Sequence, residues 1–393
     1  MKIISDLLLM GVGGGGCALS QTITAKANVA IKVLGVDTDA MSSHANEIEG
    51  LSFLLIGGAR FAGHGAGSDI VNGRLAVQDD FKNLDPFLEG VRTVVMVTCL
   101  GAGTGGGATP EILKYLHERG INTLCFATLP FEFEGSSRRE LSLRGLSLIE
   151  DNADTLITIP LDDLYTQSGS DNLKEANQQA VEMLGSVISL LWRMLCMPGY
   201  IQIDTERLRS LVVSGTKARL GFAASDDLLD RAHLVVKQLA DSKLLKTPGG
   251  KPAKAEALLL GIMAGDDLLL SEISVMMKGI TGLFDKCSRI EMGTVQDPFF
   301  DGRIEIVVFA FENGSKPSSE SFASAVPSLD QPPVADVLPV SQNLSKGRGK
   351  GKGSKLSFGP TGRGKFQNSE PTIYEGVDLD VPAYIRYGIN IEK

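Results

Sequence analysis

The sequence predicts an α/β protein: a mostly parallel sheet first, then a long central helix, a smaller α+β domain and a disordered tail. Three observations predict it. Short β-branched runs alternate with helical stretches through the first half, the pattern of strands joined by crossover helices. Residues 172–196 carry Ala176, Ala180, Leu184, Val187, Leu191 and Leu195 at three- or four-residue spacing, one apolar face of a long helix. Beyond Glu312 the pattern dissolves into Ser, Pro, Gly and Lys, too little apolar surface to order a chain.

Taken in order, strands are expected at 2–10, 31–37, 52–56, 91–98, 121–127 and 155–159, with helices around 18–27, 69–80, 109–119 and 137–151. These make a first domain over 1–171. The central helix occupies 172–199 and is ended by Met197-Pro198-Gly199. A third region, 200–312, reads as strand 256–264, helix 268–284, strand 288–294 and strand 303–311. Residues 313–370 form a linker, and 371–393 a tail in which VDLDVPAYIRY (377–387) turns apolar again. That segment is either a short docking peptide on a tether or a strand closing onto the body.

With 43% hydrophobic and 22% charged residues and a mean hydropathy of +0.08, the 393-residue chain has a soluble composition sized for two domains and a tail. No apolar run reaches the roughly 18 residues a membrane span needs, and no signal peptide is expected. Cys17, Cys99, Cys125, Cys196 and Cys287 stand singly without metal-ligand spacing, so no metal site is expected on the protein itself. They predict small core residues in a reducing compartment, the cytoplasm. The net charge of −9 hides a basic stretch: 341–369 holds Lys346, Arg348, Lys350, Lys352, Lys355, Arg363 and Lys365 and no acid. Such a tract is a solvated spacer, or it touches nucleic acid, anionic lipid or a neighbour's acidic body.

The chemistry lies in the glycines. GVGGGG (11–16) follows the first strand and fits G-x-G-x-x-G, with Asp37 about 20 residues on where a ribose-binding acid would sit. That alone suggests a dinucleotide fold. A second loop, GAGTGGGATP (101–110), also lies between a strand and a helix, and a dinucleotide fold has no task for it. Two cradles of backbone N–H groups on neighbouring strand ends fit a nucleoside triphosphate better. GHGAGSD (63–69) adds a third small-residue loop, and the Walker pattern G-x-x-x-x-G-K-S/T is absent. His44, His64, His117 and His233 form no constellation for hydride-transfer chemistry.

In this order the motifs resemble those of the tubulin/FtsZ superfamily. GAGTGGGATP is similar to its signature loop, GGGTGTGAAP in bacterial members, and GVGGGGCA to its first phosphate loop. VDTDA is similar to N-T-D-A, GHGAGSD to GLGAGAN and PFEFEGSSR to PFxFEGxxR. DLDVPAYIR resembles DIPAFLR, the carboxy-terminal peptide of the FtsZ branch, which tubulins lack. The resemblance spans most of the chain. It implies a Rossmann-like GTPase domain in a GTP-binding, GTP-hydrolysing protein that self-polymerises into a cell-division scaffold. Its active site would be completed between head-to-tail subunits, in the cytoplasm at the division site.

Carried over residue by residue, the resemblance gives Gly13, Gly14, Gly15 and Gly16, with Cys17 and Ala18, the proximal phosphates of GTP or GDP. Gly101, Ala102, Gly103, Thr104, Gly105 and Gly106 would hold the distal ones. Asp39 and Gly65-Ala66-Gly67 would lie near the γ-phosphate and its Mg²⁺, an ion held mainly by the nucleotide. Glu134 and Arg138 would meet the ribose side; as residues alone they read as a surface i,i+4 ion pair. The family's base-gripping Phe and Asn fall on Val181 and Asn177, and its I-P-N-D becomes Ile159-Pro160-Leu161-Asp162. Guanine selectivity is therefore less secured than phosphate binding.

The family's catalytic loop, N-x-D-x-x-D, reads Gln202-Ile203-Asp204-Thr205-Glu206-Arg207 here. Asp204 matches the first acid; Arg207 replaces the second. Either Glu206 substitutes after a small loop shift, or Arg207 acts as a cation on the γ-phosphate, or Arg207 faces solvent and Asp204 works alone. The alternative is a nucleotide-binding scaffold or adaptor with little or no hydrolysis. The tail would dock on membrane-anchoring division partners through Leu379, Asp380, Val381, Pro382, Tyr384, Ile385 and Arg386.

Overall fold

The computed structural model describes residues 6–44, 51–168, 173–197, 199–213, 215–247, 250, 254–284, 287–312, 373–374 and 377–378. In the first unit, Met1–Asp330, ten strands form one sheet. They are β1 (Leu7–Val12), β2 (Val33–Asp37), β3 (Leu51–Leu55), β4 (Thr93–Cys99), β5 (Asn122–Leu129), β6 (Thr155–Pro160), β7 (Thr216–Ser225), β8 (Ala257–Ala264), β9 (Arg289–Gln296) and β10 (Ile304–Phe311). The helices are α1 (Gly13–Ala27), α2 (Met41–His44), α3 (Gly58–Phe61), α4 (Ile70–Asp80), α5 (Asp85–Leu88), α6 (Gly103–Glu118), α7 (Ser136–Asn152), α8 (Leu161–Ser168), α9 (Leu173–Cys196), α10 (Thr205–Leu211), α11 (Arg231–Asp241) and α12 (Leu270–Thr281).

The order β3-β2-β1-β4-β5-β6 is all parallel, the doubly wound arrangement, and both faces are covered. β1 shows why its residues are apolar at every position. Leu7 and Leu9 enter the core under α1 and α9, while Leu8, Met10 and Val12 enter the core under α6. The expected smaller α+β region continues the same sheet. β7 joins β6 in parallel over Thr155–Ile157 and Thr216–Ala218, and β10 then lies antiparallel between β7 and β8. Strand β7 and helix α11 are not among the sequence expectations; TKARLGFAAS has too few β-branched residues to read as a strand.

α9 lies along both halves. Its Ala180, Leu184, Val187, Ile188, Leu191 and Trp192 are buried, and Ser189 donates to Ile23 O on α1 at 2.9 Å. Its Asn177–Cys196 stretch is long and apolar enough to cross a membrane by length and composition, yet most of it is buried inside the protein. Near its end, Arg193 forms a buried ion pair with Asp297, just past β9. In the second unit, Gln331–Lys393, the described residues are two short antiparallel strands, β11 (Ile373–Tyr374) and β12 (Val377–Asp378). The linker 313–370 and the tail residues Leu379 to Arg386 lie outside the described residues.

Candidate functional site

Two helices begin where two paired strands end. β1 and β4 run parallel with Val12 opposite Thr98; α1 starts at Gly13 and α6 at Gly103. Gly13–Gly16 and Gly103–Gly107, read from the sequence as loops, are thus the first turns of helices. Neither N-cap, Val12 or Ala102, closes its helix with a side chain, and neither first turn carries an acid. The unpaired N–H groups and the positive ends of both helices are left for an anion.

The two turns touch. Gly13 has φ +76°, and a Cβ there would stand 3.1 Å from Gly105 N and 3.7 Å from Thr104 Cβ. Thr104 Oγ1 lies 2.7 Å from Thr38 Oγ1, in the segment that also flanks Gly14. Gly14 is exposed, and a Cβ there would meet nothing nearer than Ser42 Oγ at 3.5 Å. Thr104 and Gly14 therefore face one cradle. Deeper glycines let the helices sit down on the sheet: a Cβ on Gly16 would lie 2.5 Å from Val97 O, and one on Gly105 2.4 Å from Cys99 O.

The third glycine loop closes the rim. Ala40 N donates to Gly63 O (2.9 Å), Gly65 N to Thr38 O (3.1 Å) and Asn72 Nδ2 to Ala66 O (3.2 Å). Asp39 bridges to His64, and its Oδ1 accepts from Met41 N at 2.8 Å. Gly67 is exposed beside them. Asp37 is only 3% exposed, with Oδ1 accepting from Thr38 N (2.8 Å) and Oδ2 from Ser42 Oγ (2.6 Å). Both oxygens brace segment 38–42, with Oδ2 also 3.6 Å from where a Cβ on Gly14 would stand. Cys17 lies beneath the cradle, where burial pushes its thiol up to about 12, while Ala18 is exposed.

Glu134 and Arg138 pair with each other, and Glu134 Oε1 also accepts from Phe131 N at 2.9 Å. They stand beside the second glycine turn, because a Cβ on Gly101 (φ +102°) would lie 3.3 Å from Arg138 O. On α9, Gly185 abuts Thr22 and Lys26, and Ser189 bonds Ile23, so α9 packs against α1. Further back on α9, Val181 is half-buried and Asn177 exposed.

The loop of Asp204, Glu206 and Arg207 lies elsewhere. Asp204 Oδ1 caps α10 by accepting from Arg207 N at 2.7 Å. Thr205 and Arg209 bond Asp6 (3.3 and 3.1 Å), and Arg92 bonds Glu206 at 2.8 Å. Asp6 and Arg92 immediately precede β1 and β4, so α10 is fastened to the opposite ends of the strands that carry the cradle. Glu206 pairs with Arg92 and Arg209 while its side chain stays largely exposed. Arg207 does not face solvent unpaired; it reaches Glu291 on β9 at 3.1 Å. The sequence reading missed Thr38, Ser42, Arg92 and Glu291. Only Thr38, inside the VDTDA motif, and Ser42, two residues beyond it, carried a signal.

The comparisons agree with this architecture. Residues 6–169 match the Tubulin/FtsZ family, GTPase domain. The cell division protein FtsZ of Pseudomonas putida is 26% identical over 388 residues, 96% of this chain and 95% of that one. FtsZ of Azotobacter vinelandii is 29% identical over 311 residues, covering 78% and 77% of the two chains. Among solved structures, an empty FtsZ dimer of M. jannaschii superposes with a TM-score of 0.72 at 24% identity, covering 78% of this chain and 88% of that one. A GTPγS-bound CetZ2 protofilament of Haloferax volcanii gives 0.64 at 21% identity, covering 79% and 94%.

Proposed function

The chain belongs to the tubulin/FtsZ family through its residues 6–169, and from that premise we propose a cytoplasmic GTPase that polymerises head to tail as a cell-division scaffold. One observation carries the reading. The glycine turns sit at the carboxyl ends of β1 and β4, and Asp204 is fastened at their amino ends. Six or seven strand residues separate the two by about 20 Å. A single copy cannot lay its own Asp204 on its cradle, whereas a second copy stacked in the same direction can.

In that reading the amides of Gly14 to Gly16 receive the proximal phosphates, and those of Gly103 to Gly106, with the Thr104 hydroxyl, the distal ones. Mg²⁺, held mainly by the phosphates near Asp39, would neutralise charge as the terminal phosphoryl departs. The neighbour's Asp204 orients the attacking water, with Oδ1 engaged in its own helix cap. Glu206 and Arg207 support the loop. Val181 and Asn177 would flank the base, and Glu134 with Arg138 the ribose side. The engaged state of both Glu206 and Arg207 favours a second reading, a nucleotide-bound scaffold with very slow turnover. The tail peptide 379–386 would bind membrane-anchoring division proteins, and the basic tract would contribute salt-sensitive contacts with nucleic acid or anionic lipid.

A mixing experiment tests the shared site. Gly14→Gln fills the cradle where a side chain has room, and Asp204→Ala removes the reaching acid. Each variant alone should release phosphate from GTP near background. An equimolar mixture should recover about a quarter of wild-type turnover, since that share of interfaces pairs an intact cradle with an intact loop. No recovery, with active wild type, refutes the shared site; near-zero wild-type turnover with GTP-dependent pelleting selects the scaffold.

A further inference from the structure

Two loops at one end of the sheet repeat a tetrapeptide that the nucleotide site does not use. Asp226-Asp227-Leu228-Leu229 follows β7, Asp266-Asp267-Leu268-Leu269 follows β8, and each leads into a helix. The strand order β7-β10-β8-β9 brings both loops and the 297–303 turn onto about 15 Å of sheet edge. The three are bonded together. Arg231 donates to Asp267 Oδ2 (2.6 Å) and Glu272 Oε1 (2.7 Å), Gly302 N to Asp267 Oδ2 (3.1 Å), and Asp266 N to Asp301 Oδ1 (3.0 Å).

On this fixed frame Leu228, Leu229, Leu270 and Phe299 are 73%, 98%, 82% and 92% exposed. Lone exposed leucines need no explanation; three of them with Phe299 on one bonded platform form an apolar face without a partner in the chain's described residues. Its rim is acidic, with Asp226, Asp227, Asp230, Asp266 and Asp301. The nearby cations are engaged: Arg231 is buried against Asp267 and Glu272, Arg303 pairs with Glu305, and His233 pairs with Asp230. A second copy of the same face would set acid against acid. We infer that this face docks a short cationic amphipathic segment of a partner protein. Apolar residues of that segment meet the leucines and Phe299, and its lysines or arginines meet the rim. This goes beyond the nucleotide chemistry and does not depend on it.

The probe is a fluorescein-labelled 16-residue peptide of Leu and Lys at helical spacing, compared with a Leu/Glu peptide, titrated with the full chain by anisotropy. The Leu/Lys peptide should bind saturably and the Leu/Glu peptide should not. The L229S/L270S/F299S variant, whose melting temperature should stay at wild type because all three side chains are exposed, should weaken binding by about tenfold or more. The single variant L229K provides a second, milder test in the same direction. Equal binding to wild type and variants would place the attraction elsewhere on the acidic body and overturn the inference. Self-association of the full chain that the triple variant abolishes, without peptide preference, would also overturn it and make the face a contact between copies.

Discussion

Replacing Asp297 by Asn should unfold the chain more easily than any surface charge change. Arg193 and Asp297 have side chains 6% and 11% exposed, so the amide variant leaves an arginine charge buried without its counter-ion. Breaking one side of a buried pair costs about 3–5 kcal/mol, a large part of the roughly 5–15 kcal/mol that holds a folded chain together. The melting temperature should fall on the order of 10 °C. The pH dependence gives a second check. Burial pushes the Asp297 carboxyl up, but the hydrogen bonds from Arg193 and from the Phe299 amide, together with the arginine charge, outweigh it and hold the carboxyl below the ordinary aspartate value. A carboxylate with a depressed folded-state pKa stabilises the fold above its unfolded value and loses that contribution as pH falls through the folded one. The gap between wild type and Asp297→Asn, measured by urea unfolding, should therefore be full at pH 7 and narrow below about pH 4. The double variant Arg193→Met/Asp297→Leu removes both charges and should return near wild type. An Asn variant within about 0.5 kcal/mol of wild type at pH 7 would refute the buried-pair account.

Other outcomes follow from the same geometry. Arg207→Asp restores the missing acid but would face Glu291, so the variant to make is Arg207→Asp/Glu291→Gln; phosphate release from GTP should rise about tenfold, and an unchanged rate would remove the loop from catalysis. Gly107→Ala would place a Cβ 2.1 Å from Ile70 O, forcing α4 off α6; stability should drop by about 1–3 kcal/mol, with weaker GTP binding in a fluorescent-nucleotide titration. In thiol titration at pH 8, Cys287 should react in the native protein, while Cys17 and Cys125, both raised to about 12 by burial, should react only after unfolding.

How legible the fold was depends on what each residue was chosen for. The strands β1 to β6 show in the sequence because parallel strands buried on both faces are apolar throughout. The expected first strand, 2–10, is placed at Leu7–Val12, since the chain stays extended through Gly11 before turning at Gly13. Helix starts expected at 18 and 109 lie at Gly13 and Gly103. Glycine is a poor helix former, and only contact with Val97 O and Cys99 O, invisible in a local window, explains its place there. The cradle was readable because phosphate chemistry leaves a contiguous glycine signature. The state of Arg207 was not, because its partner Glu291 lies 84 residues away. The bonds by which Asp37 braces Thr38 and Ser42 were not readable either, because its burial is set by the surrounding fold.

The seam between β6 and β7 is only three residue pairs long. Tension applied along a string of stacked copies would have little ladder to travel through at that point. It would pass instead down the shaft of α9 and into the Arg193 anchor, making one helix the mechanical spine that couples what happens at a subunit's upper end to the pose of its lower one.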